Sequence, residues 1–189
     1  MIPNLLFFIL LLAGFTSFGQ AKKDWQAGYQ LSVLDFQAEA PASSVGQGQT
    51  YYLAAHLDFN DAGPHAVTPT PDWNQSVTAF FMPESSWLQQ GEGTEILLQY
   101  AQMDFDLLEL YARKFRQRLY RERHALTNPK LFRQARDGVN TELAKRRVEM
   151  QNAAAESDNK GEAFHEQILK EIAALAEFCQ ECKLDKENN

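Results

Sequence analysis

The sequence predicts an α+β domain in which a small antiparallel sheet from the N-terminal half packs against three helices from the C-terminal half. Two observations carry this reading. Up to about residue 90 the apolar residues come in short alternating or continuous runs separated by Gly-, Pro-, Ser- and Asn-rich stretches, the pattern of strands and loops. From Thr94 onward they recur at helical spacing. A sheet and helices that each carry one apolar face bury those faces against one another.

The first nineteen residues, MIPNLLFFILLLAGFTSFG, hold no charged side chain and an apolar run from Leu5 to Phe15. That run is short for a bilayer-spanning helix. Ser17 and Gly19 stand at the small-residue positions a signal peptidase reads, so residues 1–19 are expected to be a signal peptide cleaved before Gln20. The product is then exported, periplasmic or secreted, and keeps no membrane span. About 170 residues remain, the size of one domain with a real core. Residues 20–183 are expected to form it, and 184–189 a frayed polar tail.

The strands are expected in YQLSVLDF (29–36), TYYLAAHLDF (50–59) and SVTAFFM (76–82), with loops in APASSVGQGQ and NDAGPHAVTPTPDWNQ. The helices are expected at 94–125, 129–154 and 161–183. Asn128 and Pro129 give the second a start signal, a cap followed by a proline at the first helical position. SDNKG separates it from the third.

The formal net charge is −7 and the pI near 5.1. Neither gives an electrostatic reason to bind nucleic acid or an anionic membrane surface. The two cysteines, Cys179 and Cys182, cannot make a disulfide framework, although one local pair is open to them. A single CxxC also supplies only half of a structural zinc site. At the end of a helix it lacks the N-terminal dipole that activates a redox thiol, so the pair reads as incidental.

The first helix contains an anomaly. On a 3.6-residue period Leu97, Tyr100, Ala101, Asp104, Leu107, Leu108, Tyr111 and Phe115 share one stripe, with a carboxylate in its middle. Gln99, Gln102, Asp106, Glu109 and Arg113 gather on another side, expected to be solvated. A charge in an apolar stripe must be paired, hydrogen-bonded or neutralised. Asp104 therefore needs a strand backbone or an arginine of the second helix, or else it faces a polar cavity.

The same stretch resembles the metal-binding helix of a family of predicted secreted zinc-dependent peptidases, a domain of unknown function whose members read LL-x-HEQ-x-HFD-x-x-E-x-YARK. Leu97, Leu98, Gln102, Phe105, Asp106, Glu109 and YARK from Tyr111 to Lys114 match it. LSVLDF (31–36) resembles the family's early strand, and AFFMPESSW (79–87) the strand leading to its Ser-Trp pair. Gln151, Gly161 and Gln167 fall at the spacings of the family's tail. The resemblance covers nearly the whole chain after the leader.

In such peptidases two histidines one turn apart hold zinc and the intervening glutamate activates a water. Here Tyr100 and Asp104 replace the histidines, Ala101 the glutamate, and Lys160 a downstream histidine that serves as a third ligand. The resemblance thus implies a degenerate member that has lost its ancestral zinc and has no catalytic residues, no metal ligands and no cofactor. An Asp104–Lys160 ion pair is one expected replacement for the metal. The function that follows is a non-catalytic module binding or scaffolding an unidentified protein or peptide.

The alternative is a hydrolase with a rearranged metal site drawn from Asp104, Asp106, Glu109 and a histidine such as His165. Asp104 and Asp106 point to opposite sides of a helix, which weighs against it. A plainer option is an envelope protein whose role never involved the old cleft. HEQIL at 165–169 begins like a zinc motif but has Leu169 in the second histidine position, so His165 reads as a solvated histidine. His56, His65 and His124 are scattered and read as ordinary surface or hydrogen-bonded side chains.

Overall fold

The computed structural model describes residues 21–42, 50–59, 73–122, 125–126 and 128–182. The expected signal peptide, most of the two long loops, the polar tail, His65 and His124 lie outside them. Within them the chain is α+β as expected. Strands β1 (Lys23–Asp24), β2 (Tyr51–Tyr52), β3 (Ala55–Phe59), β4 (Val77–Phe81) and β5 (Trp87–Leu88) precede helices α1 (Thr94–Arg121), α2 (Pro129–Glu156) and α3 (Asp158–Ala174). No helix among the described residues is long and apolar enough to cross a membrane.

The strands form two antiparallel sheets, one ordered β1-β4-β3 and one pairing β2 with β5. TYYLAAHLDF therefore splits between two sheets. The break falls at Leu53 and Ala54, both buried, where Ala54 N–H donates to Ser86 Oγ at 3.0 Å and Met82 N–H to Ala54 O at 3.0 Å. SVTAFFM becomes β4, with His56 opposite Phe80 and Leu57 opposite Ala79 in the β3 register. The two-residue strands β1 and β5 are too short to display alternation, which is why β1 has no signature in the sequence.

YQLSVLDF is not a strand. Its only regular element is a 3-10 turn at Val33–Asp35. The Asp35 carboxylate accepts from Ser32 N–H at 2.8 Å and Ser32 Oγ at 3.0 Å, so a local side chain satisfies backbone that a sheet ladder would otherwise take. Leu31 N–H is drawn instead to Gln102 Oε1 at 2.8 Å.

Helix α1 begins at Thr94 as expected. Gly93 precedes it at φ 91°, a left-handed conformation that favours glycine, and Thr94 Oγ1 donates to Gly91 O at 2.8 Å. In α2 the Asn128 side chain accepts from Lys130 N–H at 2.9 Å, the cap its sequence signals. α2 runs on to Glu156 because only Ser157 breaks the helical path. Ser157 ends α2 and caps α3, whose first turn takes in Asp158, where a carboxylate suits the positive end of the helix dipole. α3 stops at Ala174 rather than near 183. Arg113 Nη1 donates to Ile172 O at 3.0 Å and to Leu175 O at 3.4 Å, satisfying carbonyls at the helix end, and a 3-10 turn at Ala176–Phe178 follows.

α1 lies at the centre, with β4 on one side and α2 and α3 on others. Phe115 stacks edge-on with Phe59 of β3 and Phe132 of α2, at centroid distances of 5.0 and 5.6 Å, and Phe81 of β4 meets Phe105 at 5.1 Å. Such pairs add about 0.5–1.5 kcal/mol each beyond burial. A helix packed on several sides buries more than one stripe. Gln102, Asp106, Glu109 and Arg113, expected to be solvated, are accordingly all buried, at 5, 4, 2 and 5 % exposure. Of that group Gln99 is exposed.

Candidate functional site

Two polar constellations lie on opposite sides of α1. The first gathers Tyr100, Ala101 and Asp104, three of the four positions where the chain departs from the peptidase pattern. Asp104 Oδ1 accepts from Arg147 Nε of α2 at 2.6 Å, and the pair is mostly shielded, with side-chain exposures of 15 and 30 %. An arginine of the second helix therefore answers the intruding carboxylate. One turn earlier, Tyr100 Oη donates to Asp158 Oδ1 at 3.3 Å. Gly161 is buried beside this contact, where a Cβ would meet Ala154 Cα at 3.4 Å and Tyr100 Cε1 at 3.7 Å, ordinary van der Waals distances. Ala101 is fully buried.

Tyr51 of β2 completes the cluster. Burial pushes its phenol pKa well up and the Asp104 charge adds to the rise, against an opposing effect of Arg147. The Tyr100 phenol is pushed up too, by burial first and then by Asp158. Both phenols are neutral at ordinary pH. The expected Asp104–Lys160 pair is not formed. Lys160 sits in the first turn of α3 and pairs with Glu156 one turn back, out in solvent, because that carboxylate is four residues away on adjoining chain while Arg147 already holds Asp104.

Zinc, which the resemblance implies for the family, does not fit these residues. Alanine carries no ligand or base, neutral phenols are poor zinc ligands, and the Asp104 carboxylate is committed to a guanidinium. Among the described residues no group of three or more His, Cys, Asp or Glu side chains could hold a metal ion.

Arg147 also borders an open groove of about 370 Å³ between β3 and α2, walled by His56, Leu57, Phe59, Leu108, Arg136 and Asn140 among others. Guanidinium, amide and imidazole groups stand among its aliphatic side chains, and its exposed lining is mainly polar. His56 is exposed there, its ring 6.0 Å from Phe80.

The second constellation gathers the positions that match the pattern. Asp106 Oδ1 accepts from Trp25 Nε1 at 2.7 Å and Gln102 Nε2 at 3.1 Å, while Oδ2 lies 2.8 Å from His165 Nε2 of α3. Glu109 Oε1 accepts from Arg113 Nε at 2.8 Å and Arg116 Nη1 at 3.0 Å. Arg116 is fully buried and spends its other donors on Val77 O, at 2.9 and 2.6 Å, and on Phe178 O at 2.9 Å. Burial pushes its pKa down and Glu109 opposes the shift. This seam ties α1 to the N-terminal segment, to β4, to α3 and to the turn beyond it. Phe105, another matched position, is core against Phe81.

His165 is therefore half-shielded and bonded to a buried carboxylate, not simply solvated, because the face it meets on α1 is interior. Of the residues in the alternative hydrolase set, Asp106 and His165 come together. Asp104 lies on the other side of α1 with Arg147, and Glu109 is enclosed by two arginines.

Arg147, Tyr51 and Trp25 are components that sequence reasoning missed. For Arg147 the signal was partial, since Asp104 demanded a cation and α2 offered several. No family model, curated protein or solved structure matches the chain.

Proposed function

We propose that the protein is an exported, non-catalytic relative of the zinc-peptidase-like family that α1 resembles, and that it acts as a binding module for a protein or peptide. The observation that carries this reading is the commitment of Asp104 to Arg147 beside Ala101. A metal ligand position holds half of an ion pair, and the adjoining base position holds a methyl group. The division of α1 supports it further: the matching residues Gln102, Asp106 and Glu109 stitch the interior together, while Tyr100 and Asp104 are engaged in contacts with α3 and α2. A fold can outlive its chemistry because activity resides in a few side chains of a site and not in the architecture.

The open, mainly polar groove beside Arg147 is the face we assign to that binding, suited to a polar peptide segment rather than to an apolar small molecule. The Cys179–Cys182 disulfide is in keeping with an oxidising compartment such as export supplies.

The second reading, a working hydrolase with a rearranged site, draws on the contact of His165 with Asp106, a carboxylate-oriented imidazole of the kind used in general base catalysis. One experiment separates the two. The purified protein is analysed for metal by elemental analysis and assayed on a general protein substrate with and without chelator. The binding-module reading expects no stoichiometric zinc and no cleavage. Stoichiometric zinc with chelator-sensitive cleavage overturns it, and cleavage abolished by His165→Ala assigns the activity to the second reading.

A further inference from the structure

Beyond α3 the chain doubles back over the end of α1 and the start of β4. Phe178 is buried, and its carbonyl receives Arg116 Nη1 at 2.9 Å. Asn74 Nδ2 donates to Glu177 O at 2.9 Å and to Cys182 O at 2.7 Å, and Gln180 Nε2 to Thr78 Oγ1 at 3.2 Å. Most of these anchors land on backbone carbonyls, so they depend on the path of the chain and not on its side chains. Cys179 and Cys182 fix that path: they are joined by a disulfide, their Cα atoms 5.1 Å apart, and Cys182 N–H donates to Cys179 O at 3.1 Å. Both cysteines are partly exposed.

A second observation concerns the residue beneath this clasp. Asn74 is fully buried, and its Oδ1 has no hydrogen-bond donor among the described residues. A buried acceptor without a donor is destabilising, and exposure to water relieves it. Among the described residues the closed clasp thus sets a buried acceptor without a donor against its own hydrogen bonds. The covalent tie between residues 179 and 182 holds the balance toward closure by restricting the alternatives open to the loosened segment.

We propose that Cys179–Cys182 is a thiol–disulfide exchange site for a dithiol reductant, and that its oxidation state sets whether segment 176–182 stays clasped over Asn74 and Arg116. In the exchange a thiolate of the dithiol attacks one sulfur of the pair. The other sulfur leaves as a thiolate and takes a proton. The second thiol of the reagent then resolves the mixed disulfide, releasing the cyclic oxidised reagent and leaving both cysteines as thiols. Two electrons and two protons pass from the dithiol to the protein. The reduced segment loses its tie, Cys182 O leaves Asn74, and the terminal half of the clasp opens.

The test uses the purified, folded protein and dithiothreitol as the probe. Alkylation under native conditions, read by mass, is expected to label both cysteines after reduction and neither before. Hydrogen exchange at residues 176–182 is expected to quicken about ten-fold or more on reduction, with α2 unchanged within about two-fold. The Cys179→Ser/Cys182→Ser variant should exchange as the reduced protein does. If that variant does not fold, reduction of the folded wild-type chain decides alone. Labelling that needs denaturant, unchanged exchange in 176–182, or acceleration spread evenly over the whole chain would each overturn the proposal.

Discussion

The Asp104 carboxylate and the Arg147 guanidinium meet at 2.6 Å across the interface of α1 and α2, each largely removed from solvent. A lone carboxylate at this position, among apolar neighbours, carries a desolvation cost that the guanidinium offsets.

Arg147→Ala is therefore expected to destabilise the fold by about 1–3 kcal/mol, since it leaves a shielded carboxylate without its partner. Asp104→Ala alone should cost less, because the longer Arg147 side chain reaches solvent more readily. Urea denaturation of both single variants and the double variant is expected to give a coupling energy of about 1 kcal/mol. Additive effects would show that the pair contributes nothing.

The two faces of α1 should respond differently to truncation. Asp106→Ala strands the donors of Trp25, Gln102 and His165 together and is expected to cost about 3 kcal/mol or more. Tyr100→Phe gives up one long, exposed hydrogen bond and should stay within about 0.5 kcal/mol. Equal losses in thermal unfolding would contradict the assignment of Asp106 to the buried seam and of the Tyr100 hydroxyl to the more exposed margin.

A cluster on the N-terminal segment gives the stability a pH dependence. Burial raises the Asp35 pKa, but hydrogen bonds from Lys23, Tyr29 and Ser32 outweigh it and leave the carboxyl below 3.8. Its contribution is present above that ordinary value and is lost as pH falls through the lower folded value. Lys23, bonded to Asp35 and Tyr29, is raised above 10.5, so its contribution holds below that value and fades at higher pH. Asp35→Asn should thus destabilise at neutral pH, with the gap from the parent protein closing as the pH drops below 3.8. Denaturation midpoints across that range measure it. A gap that stays constant would show that the carboxylate charge is irrelevant.

Rebuilding the family's ligand set tests the history proposed for the cleft. Tyr100→His, Ala101→Glu, Asp104→His and Lys160→His together supply the missing donors, yet Arg147 would still present a cation to the incoming metal. Zinc affinity by competition titration is expected to rise further, by about ten-fold or more, when Arg147→Leu is added, since groups around a metal tune its binding on this scale. No gain from that fifth change would show that Arg147 does not face the ligand positions.

Much of this was legible in the chain itself. The change of period at Thr94 announced the architecture, Asn128 and Pro129 placed the start of α2, and the position of Asp104 in an apolar stripe required a partner of the kind Arg147 provides. The errors have a common origin. YQLSVLDF alternates like a strand, but Asp35 closes a local turn on Ser32, an interaction that periodicity does not weigh against a ladder. Gln102, Asp106, Glu109 and Arg113 line up like a solvated face, because a polar residue satisfied in the interior has the same one-letter identity as one satisfied by water.

The sequence by itself determined the α+β class and the helical half of the chain, both of which depend on residue type and near-neighbour spacing. Tertiary structure decided that both faces of α1 are interior, that Arg147 and not Lys160 answers Asp104, and that His165 meets Asp106. Those outcomes join Asp104 to a residue 43 positions away and Asp106 to residues 59 and 81 positions away. Which distant donor reaches a buried carboxylate depends on how helices cross and where they end, quantities fixed only when the whole core packs at once.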